Sequence, residues 1–217
     1  AWAQMNPEAF LRDPLSIADV LAARPIASPL TVRDCCLVTD GGGAIVLTRA
    51  ERARDLPRSP VYVLGNATAI WHRQISCMPD LTTTSAAQSG AQAYAMAGLS
   101  AADMDMAQVY DAFTINTILF LEDLGFCAKG EGGRFVADGN LISGQGGLPF
   151  NTDGGGLCNN HPANRGGITK VIEAVRQLRG EAHPKVQVPD CTLALAQGTG
   201  GLLGSRHGSA TLIMERQ

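Results

Sequence analysis

Apolar residues in this chain recur with two spacings, and the alternation between them predicts an α/β protein. Val61 to Ile70 reads as a strand. Ala86 to Ala97 is small-residue and helical, with Gly98 ending it at C′. Val109-Tyr110 ends a short strand. Thr114 to Leu124 predicts a helix with Ile115, Ile118, Leu119 and Leu121 on a wide apolar face, stopped by Gly125. Pro162 to Leu178 predicts another, with Ile168, Val171, Ile172, Val175 and Leu178 at helical spacing. Cys191 to Ala196 and Ala210 to Met214 read as strands joined by a glycine-rich turn. Such alternation implies a layered sheet flanked by helices. No internal repeat is visible.

The first sixty residues or so read differently. Asn6-Pro7-Glu8 opens a short helix, since Asn caps well and Pro fits the first helical position. Ser16 to Leu21 forms a second, and Pro25 and Pro29 keep the chain extended. Cys35 to Thr39 and Ala44 to Thr48 read as strands around a tight Asp40-Gly41-Gly42-Gly43 turn. Glu51 to Pro60 is charged and proline-containing and reads as a linker. A boundary there divides the chain into residues 1–56 and 57–217. Residues 129–157 are glycine-rich and read as one long loop, a length that is usually functional.

Composition narrows the function classes. Of 217 residues 45% are hydrophobic and 17% charged, so a sizeable core can be buried. With a net charge of −3 and no dense Lys/Arg run, nucleic-acid binding by a basic face is excluded. No apolar run approaches the roughly 18 residues of a membrane span. The N-terminus lacks the pattern of a secretion signal. Six cysteines without a Cys-x-x-Cys pair read as reduced thiols of a cytoplasmic protein. Starting at Ala1-Trp2-Ala3-Gln4 without Met, the chain is expected to be processed or part of a longer one.

Three constellations can carry chemistry. Tyr110-Asp111-Ala112-Phe113 stands at a strand end before a helix. Tyr110 there can donate to an oxyanion, or act as acid/base if its pKa falls, or be a half-buried core residue. Asp111 more simply caps the helix. In the second, Asn151-Thr152-Asp153-Gly154-Gly155-Gly156 and Cys158-Asn159-Asn160-His161-Pro162 carry a glycine loop into a helix. A helix N-terminus disfavours imidazolium, so His161 is expected neutral, as oxyanion donor or proton acceptor; otherwise it merely caps. Cys158-x-x-His161 has ligand-like spacing, but without a second pair no metal site is expected. The third is Gln197-Gly198-Thr199-Gly200-Gly201, where backbone N–H groups can approach a ligand, or which forms a plain hairpin turn.

These segments, in this order, resemble the C-terminal half of thiolases. Tyr110-Asp111-Ala112-Phe113 sits where sterol-carrier-protein-x-type thiolases have His-Asp-Cys-Phe and degradative ones have Asn-Glu-Ala-Phe. Gly155-Gly156 through His161-Pro162, with Glu173 and Gln177-Leu178-Arg179-Gly180, is similar to the family's Gly-Gly…Gly-His-Pro loop and helix. Gly198-Thr199-Gly200-Gly201 matches its last glycine turn, and Asp40-Gly41-Gly42-Gly43-Ala44 the end of its N-terminal half.

The resemblance implies a thiolase-like layered fold, αβαβα when whole, with this chain supplying a mixed sheet flanked by helices. It implies an enzyme that makes or breaks a carbon–carbon bond of an acyl-CoA thioester, of the acyltransferase or thiolase type. His161 becomes the activating and oxyanion residue, with Asp111, Gly155, Gly156, Gly198, Gly200 and Gly201 around the substrate. Coenzyme A enters as substrate or product, with no other bound cofactor. The nucleophilic Cys belongs to an N-terminal half that this chain lacks, so the fragment alone is expected to be inactive. The acid/base Cys is absent from both familiar places, where Ala112 and Gln197 stand; Cys158 is the candidate substitute. Tyr110 without a second Cys looks like the thiolase-like aldolases of steroid side-chain degradation, which cleave a β-hydroxyacyl-CoA. Expected partners are the N-terminal half, a second copy in a homodimer or tetramer, and a small OB-fold acyl-CoA-binding protein. A non-catalytic thiolase-like subunit is the remaining alternative.

Overall fold

The computed structural model describes residues 1–162, 166–202 and 205–217. In chain order the elements are α1 (Trp2–Met5), α2 (Ile17–Leu21), β1 (Pro25–Ala27), β2 (Leu30–Thr31), α3 (Ala50–Ala53), β3 (Val61–Ile70) and α4 (Ala86–Ala97). Then come β4 (Met106–Gln108), α5 (Thr114–Asp123), α6 (Gly132–Ala137), α7 (Gly155–Cys158), α8 (Gly166–Arg179), β5 (Leu193–Leu202) and β6 (Ser205–Arg216).

The main sheet has the order β3-β6-β5-β4. β3–β6 and β6–β5 pair antiparallel, while β5–β4 is parallel, so the sheet is mixed as expected. Helix α4 packs on β3 and β6, and α8 on β5 and β4. One core, with Val109, Phe120, Leu121, Leu124, Leu195 and Ile213, lies under α4 and α5. A second, with Met106, Ala174, Leu178, Ala194 and Met214, lies under α8. Each face of the sheet thus buries its own apolar set, the condition for a layered fold.

Several expectations hold closely. β3 and α4 have the boundaries read from the sequence, and Gly98 closes α4 in the left-handed conformation, φ 69°. Ser16 caps α2 in a reciprocal capping box with Asp19.

Others are corrected. The first helix precedes Asn6 instead of starting there. Asn6 is buried, and its Nδ2 donates to the Asp153 carbonyl at 2.8 Å, so its amide serves a long-range tie. Residues 36–49 form no strands. Val38, Val46 and Leu47 are 98%, 90% and 82% exposed; strand-forming residues without a neighbouring strand leave their backbone groups to water. The stretch Glu51–Pro60 holds part of α3. The loop 129–157 contains α6 and α7. Helix α8 is described from Gly166; residues 163–165, assigned to its first turn from the sequence, lie outside the described residues. The last two strands run longer than expected, so Gly198, Gly200 and Gly201 lie within β5 and not in a turn.

Candidate active site

Tyr110 follows β4 by two residues, and its neighbours fix it from three sides. Gln197 of β5 accepts the Tyr110 backbone N–H on Oε1 at 3.1 Å, and its Nε2 donates to Ser209 Oγ at 2.9 Å. Asn151 brackets the preceding residue: its Oδ1 accepts from Val109 N–H and its Nδ2 donates to the Val109 carbonyl. Phe150 bridges Ala107 in parallel, and Asn151 N–H donates to the Ala107 carbonyl. The start of the glycine loop is therefore stitched along β4, and the strand that carries Tyr110 also aims the loop that carries His161.

Asp111 does not cap α5, whose N-cap residue is Phe113 with no side-chain bond. Its Oδ1 accepts from Gly156 N–H at 2.7 Å and its Oδ2 from Leu157 N–H at 3.2 Å. Lys170 Nζ completes the shell at 2.9 Å from Oδ1. Asp111 and Lys170 are both almost wholly buried, 3% and 2% exposed. A buried charge needs such partners, and each supplies the other's. The carboxylate binds the loop from below; it has no acceptor capacity left facing outward on Oδ1.

The loop turns at Gly154 and Gly155, with φ of 108° and 68°, and brings His161 over Tyr110. The two rings meet edge to face, with centroids 5.2 Å apart and planes at 70°. His161 backbone N–H donates to Thr39 Oγ1 at 3.0 Å, and its Nε2 is buried without a hydrogen-bond partner. Burial, aided by the charge of Lys170, holds the imidazole pKa below its ordinary value against the pull of its backbone bond and of Asp111. The imidazole is thus neutral near pH 7, and burial is the largest cause. The helix start expected beside it falls on residues 163–165, outside the described residues.

The phenol is shifted toward its protonated form, which favours the donor reading over the base. Burial pushes the Tyr110 pKa up, the Cys36 thiol and the Asp111 carboxylate add to it, and Lys170 opposes. Tyr110 is therefore a phenol, able to donate, and not a resting phenolate base. Burial likewise pushes the Cys158 thiol up, and among the described residues no hydrogen bond joins it to His161. Gly156 lies under both His161 and Asp111: a Cβ added there would stand 3.0 Å from His161 Cδ2 and 3.2 Å from Asp111 Oδ1. Gly198 faces Gly167 at the start of α8. Among the described residues no group of three His, Cys, Asp or Glu is placed to hold a metal ion.

Sequence reasoning missed Lys170 and Gln108, and named Gln197, Thr152, Glu173 and Gln177 only as members of motifs, without the buried hydrogen-bonded set they form with Gln108 and around Tyr110. In that set Thr152 Oγ1 donates to Glu173 Oε1 at 2.7 Å and accepts from Gln108 Nε2 and Gln177 Nε2, each at 3.0 Å. Gly166, Lys170, Ala174 and Leu178 recur every fourth residue and all are buried, but a lysine on that face gives no hydrophobic signal in the sequence.

The chain is similar to known proteins. The family model described as thiolase C-terminal domain-like matches residues 67–216. The chain is 37% identical over 204 residues to an acetyl-CoA acetyltransferase of Methanothermobacter thermautotrophicus, covering 94% of this chain and 53% of that protein. It is 40% identical over 189 residues to a steroid side-chain-cleaving aldolase of Thermomonospora curvata, covering 82% of this chain and 46% of that protein. The solved structure of the Ltp2-ChsH2(DUF35) aldolase superposes with a TM-score of 0.87 at 37% identity, over 99% of this chain and 55% of that one. The chain spans about half the length of these relatives. A mixed sheet between helix layers, a glycine loop ending in His161, and a family match over most of its length lead to one conclusion: the chain belongs to the thiolase family, as its C-terminal domain.

Proposed function

We propose that this chain is the C-terminal half of an enzyme that makes or breaks a carbon–carbon bond beside a coenzyme A thioester, with Tyr110 and His161 at the reacting atoms. The observation that carries the reading is the edge-to-face approach of a protonated phenol and a neutral imidazole, 5.2 Å between centroids. One ring can give a proton while the other takes one.

Acyl transfer or thiolysis and aldol cleavage would share this site. The residue types favour aldol cleavage. Ala112 and Gln197 occupy the two places where the resemblance calls for a second thiol, and Gln197 is engaged in holding Tyr110. The relative that cleaves steroid side chains supports the same branch. In this mechanism His161 Nε2 takes the proton of the β-hydroxyl. The bond between the α- and β-carbons breaks, its electron pair passes to the thioester enolate, and the β-carbon leaves as a carbonyl. The phenol of Tyr110 delivers a proton to the α-carbon, and the imidazolium returns one to the phenolate. Backbone N–H groups of β5 at Gly198, Gly200 and Gly201 are candidate donors to the thioester oxygen, whereas those of Gly155 and Gly156 are given to Asp153 Oδ1 and Asp111 Oδ1, so these two glycines serve by shaping the loop. Cys158 remains the candidate thiol of the acyl-transfer branch. Its loss abolishes thiolysis if that branch operates.

Under this reading residues 1–56 close the N-terminal half and 57–217 form the C-terminal domain. The exposed strand-forming run through Val38, Val46 and Leu47 supports a missing neighbour on that flank. The name of the Ltp2-ChsH2(DUF35) aldolase supports a second protein component, here a small acyl-CoA-binding partner, on a homodimer or tetramer. The test uses the full-length protein with a 3-hydroxyacyl-CoA, then with a 3-ketoacyl-CoA plus free coenzyme A. Cleavage of the first is expected. Tyr110→Phe should lower it by about a hundredfold or more, and an unchanged rate would end the assignment.

A further inference from the structure

We infer that Lys170 is a positioning residue for the Tyr110–His161 pair: its buried ammonium cancels the charge of Asp111, so that the carboxylate can clamp the glycine loop without placing an uncompensated anion beside the phenol. The inference rests on the proposed role of Tyr110 for its consequence in catalysis, but not for its geometry.

The placement follows from α8. A Cβ added to Gly166 would stand 2.9 Å from Tyr110 Cε2 and 3.2 Å from its hydroxyl oxygen, so the start of α8 lies directly against the phenol. Lys170 is one turn further on the same face, since residues four apart are stacked on a helix. Its side chain is 2% exposed and reaches Asp111 Oδ1 at 2.9 Å, and the same oxygen accepts from Gly156 N–H at 2.7 Å. Cation, carboxylate, loop and phenol are thus one contiguous unit.

Charge makes the arrangement necessary. Asp111 adjoins Tyr110 in sequence, and a bare carboxylate there opposes both loss of the phenolic proton and any negative charge that develops on substrate. Removing it would release Gly156 and Leu157 N–H from the loop. Lys170 keeps the clamp and removes the field. Among the described residues the groups that face the phenol include Cys36 from the 36–49 segment, Lys170 from α8, Asp111 from its own segment and the His161 ring; of these Lys170 draws its pKa down, while Cys36 and Asp111 raise it. The ammonium is itself secure: burial works against its charge, but Asp111 and Asp153 outweigh it and hold its pKa above the ordinary value.

The decisive property is sign. A purely structural pair would disturb Tyr110 alike whichever partner is changed. A charge-cancelling pair predicts opposite shifts. The experiment is titration of Tyr110 by NMR with ring-labelled tyrosine in the full-length protein, assigned with Tyr110→Phe. Lys170→Gln, which keeps a donor but loses the charge, should raise the Tyr110 pKa by about one unit or more. Asp111→Asn, which strands the cation, should lower it by a similar amount. The double variant Asp111→Asn/Lys170→Gln should return it close to the wild-type value. If one single variant fails to fold, the other and the double variant still give a sign. Shifts of the same sign, or no shift in a folded Lys170→Gln, would overturn the inference. Opposite shifts in a protein that cleaves no acyl-CoA would leave the charge pairing standing and refute the proposed function instead.

Discussion

Gly155→Ala is the most informative single change to the loop. Gly155 has φ 68°, where a side chain costs about 1–2 kcal/mol. A Cβ there also overlaps Asp111 Oδ2 and comes within 2.8 Å of Asp111 Cγ. The carboxylate has to move, yet it holds Gly156 N–H at 2.7 Å, Leu157 N–H at 3.2 Å and Lys170 Nζ at 2.9 Å. Breaking a buried ion pair from one side costs about 3–5 kcal/mol. Together the two effects amount to about 4–7 kcal/mol, comparable with the whole stability of an ordinary domain. Equilibrium urea unfolding reads this directly. With an m-value of about 2–3 kcal/mol/M, the midpoint should fall by about 2 M. Gly147→Ala is the matched control, because that glycine is exposed and its added Cβ meets nothing within 4 Å. It should move the midpoint by no more than a few tenths of a molar. A Gly155→Ala protein within about 1 kcal/mol of wild type would show that the loop yields without disturbing Asp111, and the clamp argument would fail.

Two further outcomes follow from burial. His207 accepts the Ser85 backbone N–H on Nε2 at 2.8 Å, and burial, with His72, holds its pKa below the ordinary value. The pKa of His161 is lowered too, so at these two histidines the unfolded chain binds more protons than the folded one below about pH 6.5, while buried Glu173, whose pKa is raised, acts in the opposite sense. The histidines' contribution to stability should be complete above that pH and fall as pH drops toward their folded pKa values. Melts from pH 5 to 8 check this, and His207→Gln should flatten part of the slope; an unchanged slope would contradict it. Among the thiols, Cys77 is exposed, whereas Cys191 is 2% exposed and burial pushes its pKa up to about 12. Native labelling at pH 8 followed by mass spectrometry should modify Cys77 first and Cys191 only on unfolding; equal rates would refute the burial argument.

What the sequence disclosed depended on how local the determining physics was. β3, α2 and α4 are set by their own residues and caps, and all three were legible. The strands expected at Cys35–Thr39 and Ala44–Thr48 were not formed: the first has only an isolated bridge from Cys35 to Phe113 and single bonds from Cys36 and Leu37, and the second pairs with no described strand. Tyr110 and His161 were readable as a pair through the family pattern, and their rings do meet. The direction of the Tyr110 pKa was not readable, because it depends on burial and on Cys36, seventy-four positions away in a segment without periodic structure. In α8 the apolar spacing pointed to Ile168, Val171, Ile172, Val175 and Leu178, of which only Leu178 is fully buried; the buried face carries Gly166, Lys170 and Ala174 beside it. A hydrophobicity count discards a lysine from the core, and only a partner such as Asp111, far along the chain, makes it admissible.

The segment after Cys35 is bonded to both sides of the candidate site. Cys36 N–H donates to the Ala112 carbonyl at 2.8 Å and Leu37 N–H to the Gly156 carbonyl at 3.0 Å, and Thr39 Oγ1 receives the His161 N–H. Immediately beyond, the same ribbon emerges with Val38, Val46 and Leu47 bare to water. A partner that covered those side chains would seat against a ribbon whose other end is hydrogen-bonded to the His161 backbone and its glycine loop. If His161 acts as proposed, the fit of that flank and the placement of its ring are coupled through these three bonds.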